Sequence, residues 1–319
     1  VTRLVLVHGR DTDGLDPDDL ESRWLASLNA GLAASGSDLR LHDDDASFVY
    51  FGDTLAELVV EPGATPPPIT VHAVESWASL ALVDPDEAAF ALAVAREVLA
   101  GAGVPSEAGA VVVTDDGTSV DTQAAVLDAL AAALAAALAA IDRFVPGLSG
   151  AVVLLLARDV YAYLHDAEVR AVIDAGLTAA LPTDEPAVVV AHSLGSVVAY
   201  EVLRTAGEAE PWDVALFCTL GSPLAIRAVR DALRARGPLT LPPAVGRWVA
   251  VRDPQDLLTV HDLDTASFPL EPGERQIETL TVDNRAPWHH TAAAVVDGQQ
   301  VGYLADPGVA RAVEAGLGV

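Results

Sequence analysis

A chain of 319 residues, 51% of them apolar, has the material for a sizeable buried core in one large α/β domain or two small ones. Its 46 Asp and Glu stand against 18 basic residues, all Arg, for a net charge of −28. That balance repels phosphate backbones and anionic headgroups, so it argues against nucleic acid or a membrane surface as partner and reads as a soluble, self-repelling exterior.

The first element in chain order is the apolar run Leu4–Val7, a buried strand that ends in His8-Gly9. It is too short for a secretory signal, and a cytoplasmic location is the expectation. The Asp- and Gly-rich stretch 10–19 follows. Asp18 or Asp19 is placed to cap a helix with Leu20, Trp24, Leu28 and Leu32 on one face. Phe48–Phe51 reads as a second strand and Pro62–Pro68 as a loop.

Asp86–Ala100 carries Phe90, Val94 and Val98 at helical spacing. Asp121–Phe144 carries Leu127, Leu130, Leu134, Leu138 and Ile141 on an Ala-filled stripe. Residues 86–144 either flank the sheet or cap a site. The run Phe144–Ala157 is broken by Pro146 and too short for a membrane span, so no stable membrane insertion is expected.

Four further strands are predicted at Ala187–Ala191, Val214–Leu220, Trp248–Val251 and Ile277–Val282, with a helix over Ser196–Ala206. Apolar strands alternating with amphipathic helices predict an α/β fold: one domain over 1–319 with a mostly parallel central sheet and helices on both faces. Cys218 is the sole cysteine. It allows no intrachain disulfide and no Cys-type zinc site, and in its apolar run it reads as a buried structural thiol.

The chemistry-bearing segment is Ala191-His-Ser-Leu-Gly195. A buried strand ends, Ser193 stands at the tip, and a helix begins at once. Such a turn strains the serine backbone and needs small residues two positions away on each side, which Ala191 and Gly195 supply. The Leu194 N–H, at the helix start, suits an oxyanion donor. A plain helix cap is the competing reading of Ser193.

This strand–elbow–helix pattern resembles the α/β-hydrolase superfamily, in particular its bacterial lipase- and esterase-like members with an Ala-His-Ser-x-Gly elbow. The usual first small residue is Gly, and here it is Ala191. The resemblance implies a Ser–acid–His triad in that chain order and an acyl-enzyme intermediate. Arg252-Asp-Pro-Gln-Asp256 follows a strand where the acid is due. Alignment with Gly-x-x-Asp-x-x-Val favours Asp256 over Asp253, and both also suit turn formation beside Pro254. His289 and His290 both lie in the loop where the histidine is due. His290, followed by Thr291 and further on by Tyr303-Leu304, is preferred, across a gap longer than in the relatives.

His8-Gly9-Arg10 resembles the family's second oxyanion donor, with the N–H of Arg10 as donor. Gly221-Ser222-Pro223-Leu224 is read as a structural turn near the site. The expected activity is hydrolysis of a small-molecule carboxylic ester by Ser193, Asp256 and His290. Acyl transfer or thioester cleavage by the same residues, or binding without catalysis, are the alternatives. No metal or nucleotide cofactor is expected, because no His-Glu-x-x-His, Gly-x-Gly-x-x-Gly or P-loop pattern is present.

Overall fold

The computed structural model describes residues 2–9, 16–51, 84–105 and 122–318. The strands β1 (Arg3–Val7), β2 (Ala46–Val49), β3 (Ala187–His192), β4 (Val214–Leu220), β5 (Trp248–Arg252) and β6 (Glu278–Thr281) form one six-stranded sheet in the order β2-β1-β3-β4-β5-β6. Every pairing in it is parallel. A separate antiparallel hairpin joins β7 (Ala294–Val296) to β8 (Gln299–Val301).

The described helices are α1 (Pro17–Ser35), α2 (Pro85–Gly101), α3 (Thr122–Phe144), α4 (Gly150–His165), α5 (Ala167–Ala180), α6 (Leu194–Ala206), α7 (Arg227–Arg236) and α8 (Pro307–Leu317). None is long and apolar enough to cross a membrane.

Side chains alternate between the two sheet faces, so the unbroken apolar runs of the central strands feed two cores. Leu4, Leu6, Val188, Val190, Leu216 and Cys218 pack with Trp24, Leu28 and Leu32 of α1 and with Val309 and Val313 of α8. Val5, Val7, Val189, Ala191 and Phe217 belong to the larger core on the opposite face, which takes in buried residues of α2 to α7. Val94 and Val98 of α2 and Leu134, Leu138 and Ile141 of α3 are part of that core. The α/β class with a parallel sheet between helical layers is therefore as the sequence predicts.

Several local expectations are corrected. Asp16, not Asp18 or Asp19, caps α1: its Oδ1 accepts the N–H groups of both, at 2.9 and 3.3 Å. The second strand lies at Ala46–Val49, earlier than Phe48–Phe51, and Phe51 leaves the sheet to donate its N–H to His8 Nε2 at 2.8 Å. Helix α6 starts at Leu194 rather than Ser196.

Helices α4 and α5 were not anticipated. The apolar run around Pro146 hides a helix end at Phe144 and a new start capped by Ser149, whose Oγ accepts from Ala151 N at 3.2 Å. A Cβ on Gly150 would stand 2.6 Å from the Leu138 carbonyl oxygen, so this glycine permits the close α3–α4 crossing. The Pro62–Pro68 loop lies outside the described residues.

Candidate active site

From β1 the chain crosses to β2 on one side, and it later returns to β3 on the other side of β1. The strand order reverses there, and the carboxyl ends of the two strands at such a switch are the usual place for a ligand in an open parallel sheet. Gly9 follows β1 and Ser193 follows β3.

Ser193 has φ 50° and ψ −125°, a conformation a side-chain-bearing residue adopts at a cost of about 1–3 kcal/mol. Its surroundings hold it there. The Ser193 N–H donates to Leu220 O at 3.0 Å, and the Ser196 hydroxyl donates to the Ser193 carbonyl. A Cβ on Gly195 would lie 2.7 Å from Val7 O, and one on Gly9 would lie 2.8 Å from the Ser193 Cβ and from His192 Nδ1. Both positions demand glycine because β1 and the elbow press together.

The Ser193 hydroxyl lies 2.9 Å from His290 Nε2, and His290 Nδ1 lies 2.8 Å from Asp256 Oδ2. Ser193 and Asp256 are buried; the His290 side chain is 14% exposed. With Asp256 accepting from Nδ1–H, the lone pair of Nε2 faces the hydroxyl, the arrangement a base needs to receive its proton. The other Asp256 oxygen, Oδ1, accepts from Leu258 N at 3.0 Å. The carboxylate is both a turn former and an imidazole partner, so the two readings of this residue hold together.

A second carboxylate–imidazole pair stands beside the first. His289 Nδ1 is 3.0 Å from Asp253 Oδ2, which also accepts from Asn284 N at 2.7 Å, while Asp253 Oδ1 accepts from Gln255 N at 2.7 Å. Trp288 and His289 both have positive φ, 61° and 56°, and this left-handed double step turns the chain so that adjacent histidines reach different acids. Buried Asn284 braces the loop: Nδ2 donates to Thr291 O at 3.0 Å and Oδ1 accepts from Ala286 N at 3.0 Å.

Tyr303 joins the two acid positions. Its hydroxyl donates to Asp256 Oδ2 at 2.6 Å and accepts from Asp253 N at 3.2 Å. Burial first, and then the Asp256 charge, raise its pKa well above the usual value of 10, so the hydroxyl stays a donor. The stretch between His290 and Tyr303 is filled by the β7–β8 hairpin. Its Asp297-Gly298 turn has positive φ at both residues, 51° and 77°.

Two more histidines shape the field. His192 Nε2 donates to the His290 carbonyl at 2.6 Å, and its ring centroid lies 4.8 Å from that of His290. Burial, and secondly the neighbouring His290, push its pKa well below 6.5, so no second positive charge opposes an imidazolium at His290. His8, also buried, is lowered to about 4 by desolvation, and it uses Nδ1–H on Gly9 O and Nε2 as acceptor for Phe51.

The structure thus brings Ser193, Asp256 and His290 together, and gives Asp253 to His289. Leu194 opens α6 beside them, where the first N–H groups of a helix lack intrahelical partners. Arg10 lies outside the described residues. Ser222 acts as a turn cap, accepting from Leu224 N at 3.3 Å.

Asp253, Asp283 and His289 bring ligand-type atoms within 4.8 Å of one another. Asp253 already accepts N–H bonds on both oxygens and Asp283 pairs with Arg285 at 3.2 Å, so the cluster is closed by its own hydrogen bonds. Tyr303, Asn284 and His192 were missed as site residues by the sequence reading. Two of them left a trace there, His192 as part of the Ala-His-Ser-x-Gly segment and Tyr303 as part of a Tyr-Leu pair. No protein-family model, no curated protein and no solved structure matches this chain.

Proposed function

We propose that this chain is a serine hydrolase of the α/β-hydrolase type that cleaves a carboxylic ester through an acyl-enzyme on Ser193. One observation carries the reading: the continuous line Ser193 Oγ–His290–Asp256, with spacings of 2.9 and 2.8 Å, on a strained strand-to-helix corner at the strand-order switch. A helix cap needs neither the strain nor the imidazole, and Ser193 makes no side-chain cap bond to α6.

In the first half-reaction, Ser193 Oγ attacks the ester carbonyl carbon while His290 Nε2 takes its proton. Asp256 stabilises the imidazolium and holds its tautomer. The carbonyl oxygen gains negative charge, and the Leu194 N–H at the start of α6 is placed to receive it. His290 then returns the proton to the departing alkoxide, which leaves as alcohol. In the second half, water loses a proton to His290, attacks the acyl carbon, and displaces Ser193 Oγ, which recovers its proton.

A fluorophosphonate probe and a p-nitrophenyl ester test this directly. The wild-type chain is expected to be labelled at Ser193. Ser193→Ala is expected to abolish labelling and lower turnover by about 10⁴-fold or more. A wild-type chain that takes no label and turns over no ester would falsify the reading.

A further inference from the structure

We propose that Tyr303 is a positioning residue of the catalytic acid, setting how much of the Asp256 charge reaches His290. The inference rests on the triad reading above and deepens it. Asp256 has two oxygens with different tasks: Oδ1 is committed to Leu258 N, and Oδ2 alone serves the imidazole. Tyr303 places its hydroxyl on that same Oδ2 at 2.6 Å, nearer than the 2.8 Å of His290 Nδ1. Two donors therefore share one anionic oxygen.

The hydroxyl is aimed as well as donated. Its own acceptor site is filled by Asp253 N at 3.2 Å, so its proton has Asp256 as its partner. The packing leaves no slack: a Cβ on Gly221 would meet Tyr303 Cε2 at 2.9 Å, Asp256 Oδ2 at 3.1 Å and His290 Nδ1 at 3.2 Å. Gly221 follows β4 with φ 54°, and the missing side chain lets ring, carboxylate and imidazole converge there.

The consequence concerns basicity. A hydrogen bond to a carboxylate spreads its charge and weakens its pull on a neighbouring cation. With Tyr303 in place, Asp256 fixes the His290 ring yet stabilises the imidazolium less than a bare carboxylate does. Among the described residues, the other ionisable groups around the pair are His192 against the His290 ring, His8 beyond it, and Asp253 with His289 behind the Tyr303 hydroxyl. Both His192 and His8 are held neutral by burial, so neither sets a positive charge against His290.

The experiment compares Tyr303→Phe with wild type by the rate of fluorophosphonate labelling and by ester kinetics across pH. Removing the hydroxyl concentrates the Asp256 charge on His290, favours the imidazolium, and moves the acid limb of kcat/KM upward by about half a pH unit or more. It also frees the carboxylate to rotate, so kcat falls about tenfold while KM stays within about twofold. Tyr303→Phe also orphans the buried Asp253 N–H. Site-specific replacement by 2,3-difluorotyrosine keeps the shape and strengthens the donor, so the acid limb moves downward instead.

Opposite shifts in the two proteins support the assignment. Unchanged pH profiles in the fluorinated protein, with any loss in Tyr303→Phe confined to thermal stability, overturn it and leave the esterase reading standing. A wild-type chain without a reactive Ser193 removes that reading, and the role of Tyr303 with it.

Discussion

Two imidazoles adjacent in sequence, His289 and His290, meet two carboxylates three residues apart, and each takes one. Only His290 also reaches Ser193. His290→Asn is therefore expected to cut kcat/KM by about 10⁴-fold, as removal of a triad base does. His289→Asn keeps a hydrogen-bonding side chain beside Asp253 and is expected to stay within about tenfold, the scale of one hydrogen bond. Ester hydrolysis by the two variants at neutral pH separates them, and equal losses would overturn the assignment of roles. Sequence narrowed this choice to two histidines and two aspartates. The resemblance favoured Asp256 and His290, but the residues by themselves did not give the pairing, which depends on positive φ at Trp288 and His289, residue types that give no local sign of such a turn.

Among the elements, β1 and α6 approach so closely that Gly195 has no room for a side chain: a Cβ there would press on both Val7 O and the His8 carbonyl. Gly195→Ala must push α6 away from β1 and carry Ser193 with it. The expected outcome is a loss of about 1–3 kcal/mol in urea unfolding, the cost of overpacking a tight site, and slower fluorophosphonate labelling. Labelling at the wild-type rate would show that the elbow does not depend on this contact. The elements themselves were readable wherever a run had a single period, as in Ala187–Ala191 and Val214–Leu220. They were not readable at α4 and α5. There Pro146 and Gly147 sit inside a long apolar stretch, and the new helix is declared only by Ser149 and by the space that Gly150 leaves. The β7–β8 hairpin had a weak signal, Asp297-Gly298 after the apolar run Ala294–Val296, with the polar Gln299-Gln300 blurring the second strand.

For the molecule as a whole, buried neutral histidines make folding sensitive to acid. His8 titrates at about 4 in the folded chain against 6.5 when unfolded, because burial disfavours its charge. The unfolded chain thus binds more protons between those values. The contribution is complete above pH 6.5 and is lost as pH falls from there toward 4. His192 is shifted in the same direction. Urea unfolding at pH 7 and pH 5 is expected to differ by about 2 kcal/mol from His8 alone. A His8→Asn chain is expected to show a difference smaller by that amount, and an undiminished one would place the sensitivity elsewhere.

Sequence by itself determined the α/β class, the strand positions near the site, the tight turn at Ser193 and the two aspartates and two histidines from which the proposed acid and base are drawn. These are local matters: the period of apolar residues and the small side chains a tight turn needs act within a few residues of chain. The tertiary structure alone decided which carboxylate serves which imidazole, that Tyr303 joins them, and that His192 and His8 stay uncharged. Such facts arise where segments 97 and 34 residues apart close on one another, as Ser193 and Asp256 do upon His290. Distances and burial at that meeting point belong to the packed sheet edge, and no one segment encodes them.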